Sequence, residues 1–215
     1  MDALVETSSF PHYYQQLDNT CGPACLLMIF KHFDQRFEMS KRNEIDIWRE
    51  SSLAPLPPTS RYGLAFAALK RGHPVEILSN VEGVEINQNP ALLGEQVVQA
   101  LSRFQALAAT QFEERKERAL ELGLEERIVE KIEFEAVHDV VSRGGVPIML
   151  TSARHFDDDD WIHWVVVTGA NSQNILINDP GSVLEKGRRI FQRREFDSIN
   201  GYYGHQVLVS IFPRK

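Results

Sequence analysis

Cys21 lies where a polar, extended stretch gives way to an apolar run with helical spacing: residues 15–29 read Gln-Gln-Leu-Asp-Asn-Thr-Cys-Gly-Pro-Ala-Cys-Leu-Leu-Met-Ile. Gly22 frees the backbone at that joint, and Pro23 suits a first helical turn, where its missing N–H costs nothing. The Cys21 sulfur would then sit beside unpaired helix N–H groups and the positive end of the helix dipole, which favours thiolate over thiol. Cys21 is therefore a candidate nucleophile for acyl transfer.

A nucleophilic thiolate needs a base, and the base needs a group to orient it. His163 opens His-Trp-Val-Val-Val-Thr-Gly, a strand by its β-branched content, and Asp179 closes Asn-Ile-Leu-Ile-Asn-Asp-Pro, the next strand. The turn Ala-Asn-Ser-Gln between them would fold the runs into a hairpin, bringing the start of one beside the end of the other. Asp179 would accept from the imidazole and hold it toward Cys21. Singly, each residue has a plainer reading: a cysteine at a helix start is more often structural, a histidine on a strand is more often a satisfied core or edge residue, and Asp before Pro commonly forms a turn. The order and context of the three carry the reading. His155, in the aspartate-rich stretch before His163, is the rival base; the other histidines have no such context.

The ordered set Gln-x5-Cys-Gly-Pro-Ala, His-Trp-Val-Val-Val-Thr-Gly and Ile-Asn-Asp-Pro, running from Gln15 to Asp179, resembles the papain-like cysteine peptidases of family thirty-nine. These are the bacteriocin-type double-glycine leader peptidases and their stand-alone, soluble relatives. Transporter-linked members carry membrane and ATPase domains that this sequence lacks, so the stand-alone members are the nearer likeness. The resemblance implies an α+β, papain-like fold, with N-terminal helices around the nucleophile helix and a C-terminal antiparallel sheet. It also implies a Cys21, His163 and Asp179 triad with no metal or organic cofactor, and an oxyanion hole made by the cysteine N–H and a preceding Gln side chain. In an extended approach, successive side chains point to opposite sides, so only one of Gln15 and Gln16 can face the sulfur. The family pattern places its Gln six before the Cys, which selects Gln15.

The elements that must position these groups follow from periodicity and stop signals. Cys21–Phe33 reads as a helix apolar nearly all round, hence buried, with Cys25 as a core residue. A helix over Lys41–Ser51 would turn Ile45 and Trp48 inward and end before a Pro-rich loop, Ala54 to Pro58. Ser60 can cap a third helix stopped by Gly72, and Pro74 to Leu78 reads as a strand. After a polar connector, Ser79 to Asn89, a long helical pattern runs from Leu93 to Gly123, its second half rich in Glu, Lys and Arg; it is a solvated face or a lid over a groove. Lys131 to Glu135 is a weak strand, Ala136 to Arg143 a short helix, and Val146 to Thr151 and Gln206 to Phe212 are strands. Asp157 to Asp160 reads as a solvent-facing loop, or as a flap that favours a basic substrate or raises the His163 pKa.

Length and composition suit one compact soluble domain over residues 1–215, which the resemblance makes a papain-like peptidase domain, with roughly a mainly helical half at 10–110, a charged helical insertion at 111–131 and a mainly strand half at 132–215. Its 43% hydrophobic and 25% charged residues are ordinary for a globular protein. A formal charge of −7, from 23 basic and 30 acidic residues, argues against nucleic acid or an anionic membrane as the main partner and bears little on a peptide or protein substrate. Residues 1–10 have no basic and apolar leader pattern and no later stretch could span a membrane, so the expected location is cytoplasmic. Cys21 and Cys25 stand four apart on one helix, where a disulfide would distort the geometry, and a zinc site lacks a second ligand pair. Three functions fit: a cysteine peptidase, possibly a leader processor; an acyltransferase or amidase with the same triad; and a peptide-binding module without turnover.

Overall fold

The computed structural model describes residues 10–54, 56–83, 95–156, 160–181 and 187–214, without the side chains of 56, 57 and 95–103. The N-terminal arm, Asp157 to Asp159 and the second half of the 79–89 connector lie outside the described residues.

Helix α1 (Cys21–Phe33) is buried from Cys21 through Phe30 and packs against helices on one side and a sheet on the other. Encirclement by apolar neighbours is what a helix without a polar face requires. Helix α2 (Lys41–Ser51) starts at Ser40, whose hydroxyl accepts from Asn43 N–H. Its inward stripe is Glu44, Ile47 and Ser51, whereas Ile45 and Trp48 are only half-buried. The expected inward pair was ranked by hydrophobicity, and hydrogen bonds have let a carboxylate take the innermost place. Helix α3 (Arg61–Leu69) is capped by Ser60, which accepts from Gly63 N–H at 3.1 Å. A Cβ at Gly63 would lie 2.1 Å from the Ser51 carbonyl oxygen, so α2 and α3 meet backbone to backbone only because that side chain is missing.

Between α2 and α3 the Pro-rich segment is a strand as well as a loop: β1 (Ser52–Leu53) pairs antiparallel with β2 (Leu56–Thr59). Prolines are tolerated in so short a ribbon because few backbone N–H groups are needed for its ladder. The large sheet has the spatial order β4-β3-β9-β5-β6-β7-β8. Its strands are β3 (Val75–Ser79), β4 (Glu125–Ile128), β5 (Val146–Ser152), β6 (Ile162–Ala170), β7 (Asn174–Asn178), β8 (Arg188–Gln192) and β9 (Val207–Ile211). All neighbours are antiparallel except β3 and β4, so the C-terminal sheet extends to take in two earlier strands.

The expected strand at Lys131 to Glu135 is absent. The strand comes earlier, at β4, an edge held by main-chain pairing and mostly exposed, so its side chains carry no alternation to read. Phe134 instead begins α5 (Phe134–Ser142), which buries Phe134, Val137 and Val140. Along β6, Trp164 and Val166 join the core under α1, while Val165 and Val167 join the core under α5 and the short α6 (Phe196–Ile199). Burial on both faces explains why this strand reads as an unbroken apolar run.

Helix α4 (Glu95–Glu121) lies on α3 through Ala108, Phe112 and Ala119, with Phe112 tilted against Tyr62 at 4.7 Å. Arg61 is fully buried there; its guanidinium stacks over both rings and donates to the carbonyls of Val81, Glu82 and Gly83. Among the described residues no helix is long and apolar enough to cross a membrane.

Candidate active site

Cys21 is the first residue of α1 and is 8% exposed. Thr20, just before it, makes no side-chain cap to the helix, so no cap hydroxyl occupies the N–H groups at the helix start. Gly22 serves a different purpose from the backbone freedom read from the sequence. A Cβ there would lie 2.5 Å from Thr59 Oγ1 and 2.9 Å from Leu64 Cδ2, so glycine is needed for β2 and α3 to approach the nucleophile helix. Trp164 Nε1 donates to the Thr59 carbonyl at 3.3 Å, fastening β2 to β6 across the site.

The β6–β7 hairpin pairs Val166 with Asn178, which sets His163, at the start of β6, beside Asp179, just past the end of β7. His163 Nε2 donates to Asp179 Oδ1 at 2.7 Å, and the same oxygen accepts from Gly181 N–H at 2.8 Å. The Cys21 side chain acts on the same imidazole and raises its pKa, and since Nε2 is taken by Asp179, Nδ1 is the nitrogen left for the sulfur. His163 and Asp179 are 8% and 2% exposed. Burial alone would lower the imidazolium pKa, but the bond to Asp179, the nearby Cys21 and their negative charge outweigh it and push it up to about 10. Asp160, the one described member of the aspartate run, accepts instead from Ser152 Oγ at 2.7 Å and Tyr203 Oη at 3.1 Å.

Gln15 is half-buried and lines the same cleft as Cys21 and His163. Its backbone N–H donates to the Pro180 carbonyl at 2.9 Å, and its Nε2 to the Leu17 carbonyl at 3.1 Å. Gln16 is exposed, and its amide turns back to the Tyr14 carbonyl. The structure thus brings Gln15, Cys21, His163 and Asp179 together. It does not bring His155, which lines a separate cavity with Asp160, Asn200 and Tyr202. Cys25 lies in the core with its Sγ 3.4 Å from the Trp164 carbonyl, and burial, then Cys21 and Asp179, push its thiol well up; both cysteines are free.

The cleft, of about 340 Å³, is walled by Pro58 and Thr59 on the β2 side and by Trp161 and Ile162 at the start of β6. Trp161 is 54% exposed, and Phe156 sets its ring edgewise to His163 at 5.9 Å. None of the described residues of α4 lines it. Sequence reasoning missed Trp161, which lies just before β6 and so outside the strand's alternation. It also missed Phe156, for which only the fold provides the signal.

A family model described as Peptidase C39-like matches residues 10–200. The chain belongs to the Peptidase C39-like family. Among solved structures, a putative C39-like peptidase from Bacillus anthracis matches with 13% identity and a TM-score of 0.52, with 100% of both chains covered. That likeness shows the papain-like fold of C39 peptidase domains. The peptidase domain of Streptococcus ComA, a bifunctional ABC transporter involved in quorum sensing, matches with 13% identity and a TM-score of 0.48, covering 96% of this chain and 100% of that one. No curated protein sequence matches this C39-like chain.

Proposed function

We propose that this chain is a cysteine peptidase that hydrolyses peptide bonds through Cys21, His163 and Asp179, with Gln15 as oxyanion donor. The observation that carries this reading is the His163 ring, bonded through Nε2 to Asp179 and lining one cleft with Cys21 and Gln15. Membership of a C39-like family supports it.

The Cys21 thiolate attacks the scissile carbonyl carbon, and the carbonyl electron pair moves onto oxygen. That oxyanion takes hydrogen bonds from the Cys21 backbone N–H and Gln15 Nε2. His163, protonated at the start, gives its Nδ1 proton to the departing amine as the C–N bond breaks, leaving a thioester on Cys21. Neutral His163 then takes a proton from water, whose oxygen attacks the thioester; the second tetrahedral species collapses to the thiolate–imidazolium pair and a carboxylic acid, which loses its proton to solvent. Asp179 accepts from Nε2 throughout, fixing the tautomer and the ring plane.

We take residues 1–215 as one catalytic domain and place it in the cytoplasm, where a free nucleophilic thiol stays reduced. The substrate is a peptide or an extended protein segment, and processing of a peptide leader is the specific activity that the family suggests. A peptide mixture incubated with the protein and analysed by mass spectrometry should show new termini that disappear with Cys21→Ala. Equal cleavage by that variant would refute the reading.

A further inference from the structure

Glu44 is completely buried, yet its carboxylate belongs to α2 and takes no part in the chemistry above. Among the described residues, all three of its donors come from the approach to the nucleophile. Tyr13 Oη donates to Oε2 at 2.9 Å, Gln16 N–H to Oε1 at 3.0 Å and Oε2 at 3.2 Å, and the Thr20 hydroxyl reaches Oε1 while also touching the Leu17 carbonyl. These donors bracket Gln15 and end one residue before Cys21. None of these donors is cationic, so the buried carboxylate is satisfied by neutral hydrogen-bond donors, an arrangement that a mere spacer between segments would not need.

The geometry explains what the carboxylate does. Consecutive backbone N–H groups are pinned to different partners, Gln15 to the Pro180 carbonyl beyond Asp179 and Gln16 to Glu44. With Gln16 drawn toward α2, its side chain lies exposed and that of Gln15 turns into the cleft; residues 16–19 form bends and a turn, with Asn19 at a φ of 62°, in place of the extended approach read from the sequence. An ionised carboxylate can accept from all three donors, whereas the carboxamide of a glutamine would turn one N–H₂ group toward a donor.

We infer that Glu44 is a positioning residue, whose carboxylate holds residues 13–20 so that the Gln15 amide reaches the oxyanion; the inference rests on the reading of Gln15 as donor.

The test uses the full chain with Glu44→Gln, alone and combined with Gln15→Ala. Three readouts are kcat and KM on a peptide substrate, affinity for a peptide aldehyde whose tetrahedral adduct presents an oxygen to the hole, and the rate of Cys21 alkylation by iodoacetamide, which needs no oxyanion donor. Glu44→Gln should lower kcat and aldehyde affinity by about 10- to 100-fold, less than the 10²–10³ for losing a donor outright, with KM and alkylation within about twofold. In the Gln15→Ala background it should cost nothing further. Tyr13→Phe, which removes one donor and keeps the charge, should shift the same readouts by a smaller factor and covers the case in which Glu44→Gln does not fold. Additive losses, or alkylation falling in step with kcat, would overturn the inference. Loss of aldehyde affinity in Gln15→Ala but in neither Glu44→Gln nor Tyr13→Phe would overturn it while leaving the donor reading intact. Unchanged affinity in Gln15→Ala would overturn both.

Discussion

His163 and Asp179 are sixteen residues apart in sequence and joined by a 2.7 Å hydrogen bond across the open end of the β6–β7 hairpin, beyond its last ladder pair, Val166 with Asn178. Burial would lower the imidazolium pKa, but this bond and the nearby Cys21 outweigh it, and the result is a histidine pushed up to about 10.

The pH dependence follows from that direction. His163 must be protonated to release the amine, so kcat/KM should fall as pH rises through about 10. Asp179→Ala removes a group that raises the pKa, so the alkaline limb should move to lower pH while kcat drops by up to about 10⁴. Because the folded value lies above the unfolded one of about 6.5, the stability contributed by His163 is fully present below that pH and is lost as pH rises through the folded value. An alkaline limb unmoved by Asp179→Ala would exclude its role on the imidazole.

Gln15 and Gln16 separate two registers of the approach. With Gln15 lining the cleft and Gln16 exposed, Gln15→Ala should lower kcat by about 10²–10³ with little change in KM, and Gln16→Ala should be nearly silent. The reverse result would assign the donor to Gln16.

Gly22 offers a steric test. Alanine there would bring a methyl carbon to 2.5 Å from Thr59 Oγ1, so β2 or α1 must yield. Gly22→Ala should cost roughly 1–3 kcal/mol in thermal or denaturant unfolding. It should also slow Cys21 alkylation, since the helix start carries the sulfur. Wild-type stability and reactivity would show that the contact relaxes freely.

How much of this could be read in the sequence depended on whether the signal was local. The β6–β7 hairpin was legible because a β-branched run, a polar turn and a second apolar run suffice to define it, and its legibility carried the juxtaposition of His163 and Asp179. The burial of α1 was legible for the same reason. Strand β4 was not, since its exposed side chains obey main-chain pairing to β3 and no pattern of their own. Nor was the inward turn of Glu44, because its three donors come from a segment more than twenty residues away in sequence. The reason for Gly22 depends on Thr59 and Leu64, which only the tertiary fold brings against it.

Covalent capture shows whether Cys21 is a nucleophile activated by His163. A peptide electrophile is incubated with native wild-type protein, Cys21→Ala, His163→Ala and His155→Ala at neutral pH, and the modified residue is identified by mass spectrometry. The account predicts one adduct, on Cys21, formed rapidly in wild type and His155→Ala, strongly slowed in His163→Ala and lost when the protein is denatured, with Cys25 unmodified in the native fold because it is buried. Capture at Cys25, equal labelling of both cysteines, or undiminished labelling in His163→Ala would contradict it.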